Sequence, residues 1–259
     1  MTTHPIALPK TAPRAAFAKI LLNEGRLAWR TPFGLGAGVV VPALLVVLFG
    51  ELPKYQVRKA SLGGLTLFNV EVPVLIGVEI AIMALLSLPM SLATYREQGI
   101  LRRLSTTPAR PSWVLGAQVA VNLILALGAL VIIMVVGSTA FAERAPKSTG
   151  GFVLSVVLSL SALFAIGLFI AARAKTGMTA YATGFTLLFP LMFFAGLWFP
   201  RQQMTSWLSN VSNYTPLGAA SQAIQDSIQG SFPPAALLLT LAGCAIAFGF
   251  LAARCFRWE

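Results

Sequence analysis

The chain has 259 residues, of which 57% are hydrophobic and only 10% are charged, and its mean hydropathy is +0.79. A soluble domain of this length carries about a quarter charged residues, so the composition excludes a water-soluble core. The net charge of +11 does not indicate a nucleic-acid partner, because the basic residues flank apolar segments instead of clustering on a polar domain. The expected fold class is an all-α integral membrane protein.

The N-terminal region is expected to hold a disordered tail at residues 1–13 and an interfacial amphipathic helix at residues 14–31. The first thirty residues do not contain the apolar stretch that is typical of a signal peptide. One narrow polar stripe contains Lys19, Asn23, Arg26 and Arg30, and Phe17 lies on the opposite, apolar face. A basic helix of this kind lies in the membrane interface. Glu24 falls within the apolar face, where we expect it to need a partner such as an arginine of the same protein.

Six apolar segments follow, each close to the roughly 20 residues that a helix needs to cross the hydrocarbon. They lie at about 33–52, 73–94, 113–139, 152–172, 178–199 and 233–253. Pro42 and Pro190 fall inside the first and the fifth segments and are expected to kink them. We expect the whole chain, residues 1–259, to form a single transmembrane domain.

The distribution of basic residues predicts the orientation of the chain. With six spans, both termini lie on the same side of the membrane. Most of the 19 lysine and arginine residues then fall in the segments on that side. Because cytoplasmic loops carry the excess of Lys and Arg, both termini are expected in the cytoplasm.

The segment between residues 200 and 233 predicts two short external helices. Met204 begins a helical apolar pattern that includes Trp207, and after Pro216 a second pattern runs from Leu217 to Ile228. The two helices are expected either to dip into or lie on the outer leaflet and cover the end of a cavity, or to form an ordinary amphipathic hairpin at the surface. Tyr214 belongs to a predicted aromatic belt, and Asp226 is one of only two charges in the segment.

Residue patterns typical of catalysis or of metal and nucleotide binding do not occur in the sequence. The one histidine is His4, no Cys/His cluster has metal-ligand spacing, and no Gly-Lys pair could form a phosphate-binding loop. No cofactor is therefore expected on this chain. Glu79 lies well inside the second predicted span, and an intramembrane carboxyl group is a functional candidate. The alternative is a protonated or hydrogen-bonded packing residue.

Some uncharged polar and small residues in the predicted spans allow two interpretations. Asn122, Ser155, Ser159, Ser161 and Thr186 could line a path or could hold helices together. Ala180, Gly184 and Gly196 would allow close helix contacts.

A polar and basic segment, Tyr95–Ser112, separates the second and third predicted spans and must lie in water. No proline occurs from Tyr95 to Thr107, and Leu101 and Leu104 share one helical face from which Arg102 points away. Pro108 and Pro111 end the pattern. The segment predicts a short amphipathic helix on the inner membrane surface that contacts a soluble partner.

The motif Tyr95-Arg-Glu-Gln-Gly-Ile-Leu-Arg-Arg-Leu-Ser-Thr-Thr-Pro-Ala-Arg110 resembles the cytoplasmic signature of type-2 ABC exporter membrane subunits, the ABC-2 type permeases. The residues of this motif are similar to those of the daunorubicin-resistance branch of bacterial drug exporters. The resemblance implies a permease subunit of the bacterial plasma membrane, not an enzyme. It also implies a cytosolic ATPase dimer that binds ATP and Mg, a second permease subunit, and a hydrophobic or amphiphilic substrate moved outward.

The resemblance also implies roles for individual residues. A coupling helix that contacts the ATPase would contain Arg96, Glu97, Gly99, Arg102, Arg103, Leu104 and Pro108. The interfacial helix would act through Phe17, Lys19, Glu24, Arg26 and Arg30. The external gate would contain Met204, Trp207, Tyr214, Pro216 and Asp226. Glu97 would pair with an arginine of the ATPase or with Arg26 or Arg30. The functional alternatives are a stand-alone ion-coupled multidrug carrier that uses Glu79, and a membrane protein without transport activity.

Overall fold

The computed structural model describes residues 13–30, 40–58, 64–100, 111–141 and 145–255. Eleven α-helices lie within these ranges. They are α1 Pro13–Arg30, α2 Val41–Glu51, α3 Pro53–Gln56, α4 Leu67–Ile82, α5 Leu88–Glu97, α6 Pro111–Phe141, α7 Thr149–Arg173, α8 Gly177–Ala195, α9 Ser206–Asn213, α10 Pro216–Gln229 and α11 Ala235–Cys255. A π-helical turn, Met83–Ser87, joins α4 to α5, so that Leu67–Glu97 forms one long span. The predicted all-α fold is confirmed.

Five helical segments are long and apolar enough to cross a membrane, namely Leu67–Glu97, Trp113–Phe141, Thr149–Arg173, Gly177–Ala195 and Ala235–Cys255. They correspond to the second to sixth predicted spans. Helix α2 covers the second half of the first predicted span, whose residues 33–39 lie outside the described ranges, as does almost all of the predicted N-terminal tail. Pro42 occupies the first turn of α2, and Pro190 lies inside α8.

The second span begins at Leu67 and not at Pro73, because a capping box starts the helix earlier. The Thr66 hydroxyl accepts a hydrogen bond from the Asn69 N–H at 3.1 Å, and the Asn69 side chain accepts one from the Thr66 N–H. Pro73 is accommodated inside the helix. The earlier start brings Glu71 into the same span, so Glu79 is not its only acid, and both carboxyl groups are buried.

The span Leu67–Glu97 is the centre of the bundle and is almost completely buried by the helices around it. Its π-helical turn precedes Pro89, and a proline ring inside a helix clashes with the carbonyl of the residue four positions earlier, which here is Leu85. Gly184 of α8 packs against this carbonyl, and Gly167 of α7 packs against the neighbouring carbonyl of Ala84. A Cβ at either glycine would overlap the oxygen. The prediction that Gly184 permits a close helix contact is confirmed.

Helix α10 enters the bundle instead of lying at its surface. Leu217, Ala220 and Ile224 are completely buried, and the helix packs against α4, α7, α8 and α11. Gly77 of α4 provides the space, since a Cβ there would lie 2.8 Å from the Ser221 hydroxyl. Of the two interpretations for this segment, the ordinary surface hairpin is therefore wrong.

We predict that Gly167→Ala and Gly184→Ala each lower the free energy of unfolding by about 1–3 kcal/mol, because the added methyl groups overpack the contact with the π-helical turn. Thermal unfolding of the detergent-solubilised protein measures the change. Gly128→Ala in α6 is the matched control, because nothing lies within 4 Å of the added Cβ. Equal melting temperatures for all three variants and the wild type would contradict the close contacts.

Candidate functional site

The predicted coupling segment begins where the central span ends. Helix α5 continues through Tyr95 and Arg96 to Glu97, and the Gly99 N–H then donates to the Arg96 carbonyl at 3.0 Å. Gly99 has a φ of +66°, a left-handed conformation that closes a helix and favours glycine. Gly99 therefore ends the helix that contains Tyr95, and the predicted amphipathic helix, most of which lies outside the described residues, stays a prediction. Arg102, Arg103, Leu104 and Pro108 lie outside the described residues.

Arg96 binds the carboxyl end of α7. Its guanidinium donates to the carbonyl oxygens of Ala171 at 2.8 Å, Ala174 at 3.3 Å and Ala172 at 3.5 Å. The last carbonyls of a helix have no partner within the helix and carry its partial negative charge. A cation at this position donates hydrogen bonds to the free carbonyls and is stabilised by the partial negative charge. Arg96 therefore fixes the end of the fourth predicted span to the end of the second.

Glu97 binds the start of the next helix. Its Oε2 accepts a hydrogen bond from the Gly177 N–H, the first residue of α8, at 2.9 Å. A carboxylate at a helix N-terminus is stabilised by the free N–H groups and by the partial positive charge there. This contact lies within the permease, and the expected pairing of Glu97 with an arginine of the ATPase or with Arg26 or Arg30 stays a prediction.

The two side chains therefore hold a helix C-terminus and a helix N-terminus that are joined by one short turn, residues 174–176. We name Arg96, Glu97 and this turn the hairpin clasp. Gly177 allows the turn to approach closely, because a Cβ there would overlap the Thr94 hydroxyl. The clasp fixes the α7–α8 hairpin to the residues that enter the basic segment.

The interfacial helix α1 is attached at the same end of the bundle by Glu24. This side chain is buried, and its Oε2 accepts hydrogen bonds from the Tyr95 hydroxyl at 2.6 Å and the Gln118 amide at 2.5 Å. Among the described residues, the partners of Glu24 are thus a tyrosine and a glutamine instead of the expected arginine. Burial raises the pKa of Glu24 above its ordinary value, and the hydrogen bonds from Tyr95 and Gln118 oppose the rise.

Other predicted residues of α1 lie where the amphipathic pattern placed them. Lys19 and Arg26 are exposed, and the Phe17 ring is half-buried near Gly116 of α6. The side chain of Arg30 lies outside the described part of the structure.

At the opposite end of the bundle, Arg201 organises the segment before the last span. The guanidinium is buried and donates to the Gly218 carbonyl at 2.7 Å and to the Asn213 side chain. It thereby holds α9 and the start of α10 together. Burial lowers the pKa of Arg201 to about 10, and the nearby Asp226 charge opposes the decrease.

The predicted external gate residues are only partly brought together. Tyr214 and Asp226 line a common pocket of about 630 Å³ with Arg201. Pro216 is the first residue of α10, whereas Met204 and Trp207 do not line this pocket. Trp207 and Tyr214 are largely exposed, at 70% and 71%, as the predicted aromatic belt requires.

The sequence matches the ABC-2 type transporter family over residues 16–228, which includes both ends of the bundle described above. The chain belongs to the ABC-2 type transporter family. No curated protein matches it. Membership makes the protein a multi-pass membrane permease.

The intramembrane polar residues of this ABC-2 permease fall into two groups. Hydroxyls of Ser155, Ser159, Ser161 and Thr186 each donate to the carbonyl four residues earlier, and the Ser155 hydroxyl also lies 3.5 Å from the Ser227 hydroxyl of α10. Glu79 is completely buried, and neither carboxyl oxygen has a hydrogen-bond partner among the described residues.

Several residues that act in these contacts were not identified from the sequence as functional, notably Arg201, Gln118 and Gly177. Gln118 lies 94 residues from its partner Glu24 in the sequence, and Gly177 lies 80 residues from its partner Glu97. The one available signal was for Arg201, an isolated charge directly after the apolar segment 178–199.

We predict that Arg96→Gln and Glu97→Gln loosen the hairpin clasp. Hydrogen bonds to charged groups contribute about 1.5–3 kcal/mol, so the amides of residues 174–177 should exchange hydrogen roughly tenfold faster or more. Hydrogen–deuterium exchange with mass spectrometry on the full chain in nanodiscs measures the effect. Lys175→Gln is the control, because Lys175 lies on the same turn, is exposed, and makes none of the clasp contacts. Unchanged exchange at residues 174–177 in both clasp variants would show that the clasp does not hold the hairpin.

Proposed function

We propose that this ABC-2 permease is the membrane subunit of an ATP-driven exporter for hydrophobic or amphiphilic compounds, such as drugs, antibiotics or lipid-like molecules. It works with a separate cytosolic ATPase dimer, which binds ATP and Mg, and with a second permease subunit, identical or related. It resides in the bacterial plasma membrane with both termini in the cytoplasm. The similarity of residues 95–110 to the daunorubicin-resistance branch supports the direction and the substrate class.

The hairpin clasp is the observation that carries this proposal. An ATPase that closes on ATP moves a membrane subunit only if a rigid element transmits the displacement. Arg96 and Glu97 lie at the start of the basic segment that would contact the ATPase, and they bind α7 and α8 at the helix ends. Displacement of the basic segment would therefore move three spans together. Glu24 adds α1 and α6 through Tyr95 and Gln118.

The test is reconstitution of the permease with the ATPase encoded beside it, recognised by a Walker A motif and an ABC signature. We expect co-purification and ATP-dependent efflux of a fluorescent amphiphile from vesicles. Arg96→Gln combined with Glu97→Gln should reduce efflux roughly tenfold or more, because the clasp hydrogen bonds are charge-assisted. The ATPase should remain bound, since these side chains contact the permease itself.

Lys175→Gln is the matched control and should export at the wild-type rate. Full export by the double clasp variant would contradict the coupling role. Efflux that needs no ATPase would contradict the proposed function as a whole.

A second candidate function is an ion-coupled carrier that uses Glu79. The observation that favours it is the complete burial of this carboxyl group without a hydrogen-bond partner among the described residues. The two functions differ in their response to Glu79→Gln and to a protonophore. An ATP-driven exporter retains efflux in both conditions, whereas an ion-coupled carrier loses efflux in both, and the same vesicles measure this.

A further inference from the structure

A polar pocket of about 240 Å³ lies beneath the interfacial helix, between α1, the end of the central span and α6. Its polar wall contains Glu24, Ser91, Thr94 and Asn122, and Met90 is among its apolar lining residues. The pocket is separate from the hairpin clasp, whose Arg96 and Glu97 do not line it.

The hydrogen-bond donors of this wall are largely used by the protein itself. The Tyr95 hydroxyl and the Gln118 amide both donate to Glu24, and the Asn122 amide donates to the Gln118 carbonyl at 2.9 Å. The Asn122 Oδ1 is buried and has no hydrogen-bond partner among the described residues. An unpaired buried acceptor is costly, so the pocket is suited to a ligand that donates hydrogen bonds.

The charge of Glu24 points to the same kind of ligand. Two neutral groups bind the carboxyl group, and no lysine or arginine of the described chain forms an ion pair with it. Lys19 and Arg26 of the same helix are exposed. A carboxylate that is buried without a counter-ion is destabilised, and either a proton or a paired cation relieves that cost. A cationic head group would supply both the charge and the missing donor.

An apolar groove of about 870 Å³ continues from this pocket between α1 and α6. The two cavities share four lining residues, Leu27, Ala28, Val121 and Leu125. Leu22 and Ile124, which line the groove beyond them, are 65% and 60% exposed, so the groove opens on an apolar surface of the bundle. Arg26 lies on the groove and not on the polar pocket.

We propose that the polar pocket and the apolar groove together form an entry site for a cationic amphiphile. Its ammonium group lies between Glu24 and Asn122, and its hydrocarbon tail lies along Val121 and Leu125. The amphiphile enters from the leaflet in which α1 lies. This inference rests on the proposed export function, for which it specifies the charge of the substrate and the place of its first contact.

The test uses the full chain in phosphatidylcholine nanodiscs, without ATP or ATPase. The probe is dodecylammonium with a diazirine in the middle of the chain, and its matched control is dodecanoate with the diazirine at the same carbon. We expect saturable photolabelling by the ammonium probe at Leu27, Val121 and Leu125, located by mass spectrometry. The carboxylate probe should neither label these residues nor compete.

Two variants separate the contributions of head and tail. Glu24→Gln keeps an oxygen that can accept from Tyr95 and Gln118 but removes the charge, and it should weaken ammonium binding roughly tenfold or more. Leu125→Trp fills the wall shared by the two cavities and should abolish labelling while Glu24 remains. Glu51→Gln is the matched control, because Glu51 is an exposed acid at the end of α2 and lines neither cavity.

Equal labelling of wild type, Glu24→Gln and Leu125→Trp would overturn the entry site. Labelling confined to other helices, or equal competition by dodecanoate, would also overturn it. None of these results would contradict ATP-dependent export, which is tested separately by efflux from vesicles that contain the reconstituted complex. Conversely, specific labelling by a permease that supports no ATP-dependent efflux would retain the binding site and reject the exporter.

Discussion

The attachment of the α7–α8 hairpin to the end of the central span is the interaction on which the proposed mechanism depends. Two adjacent residues of opposite charge bind two helix ends of opposite polarity. Arg96 donates to the final carbonyls of α7, and Glu97 accepts from the first N–H of α8. Each charge lies where the helix dipole stabilises it, so the order Arg-Glu matches the order in which the hairpin presents its C-terminus and its N-terminus.

A clasp at one end transmits movement only if the attached helices are firmly packed along their length. The central span meets this condition, because the carbonyls of Ala84 and Leu85 contact Gly167 of α7 and Gly184 of α8 without an intervening side chain. Close backbone approach at small residues is how helices associate where the hydrophobic effect does not drive them together. The helices fixed at the clasp are thus also fixed near the middle of the bundle.

Sequence patterns predicted the helices well, because helix length and apolar composition follow directly from the thickness of the membrane. The motif at residues 95–110 also predicted the ABC-2 family, which the match over residues 16–228 confirms. Individual contacts were less predictable. The partners of Glu24 come from two other helices, and the pairing of Glu97 with a backbone N–H depends on how a distant turn folds back.

Errors at the ends of the central span have specific causes. The span was predicted to begin at residue 73, but the Thr66–Asn69 capping box begins the helix earlier and places Glu71 inside the span. At the other end, Gly99 adopts a left-handed conformation that periodicity alone does not reveal, and the span ends at Glu97 instead of at residue 94. In both cases a local backbone interaction determined the helix boundary more strongly than the apolar pattern.

The central claim is that the entry to the basic segment and the α7–α8 turn move as one unit when the ATPase partner binds ATP. Spin labels at Gln98, at Lys175 of the turn and at Lys147 near the opposite end of the bundle, in a chain with Cys244 and Cys255 replaced by Ser, test this claim by pulsed electron paramagnetic resonance. In the reconstituted complex, ATP should change the distances from Gln98 and from Lys175 to Lys147 in the same direction and to a similar extent. A change in the distance from Gln98 alone, with Lys175 unmoved, would contradict the coupling mechanism.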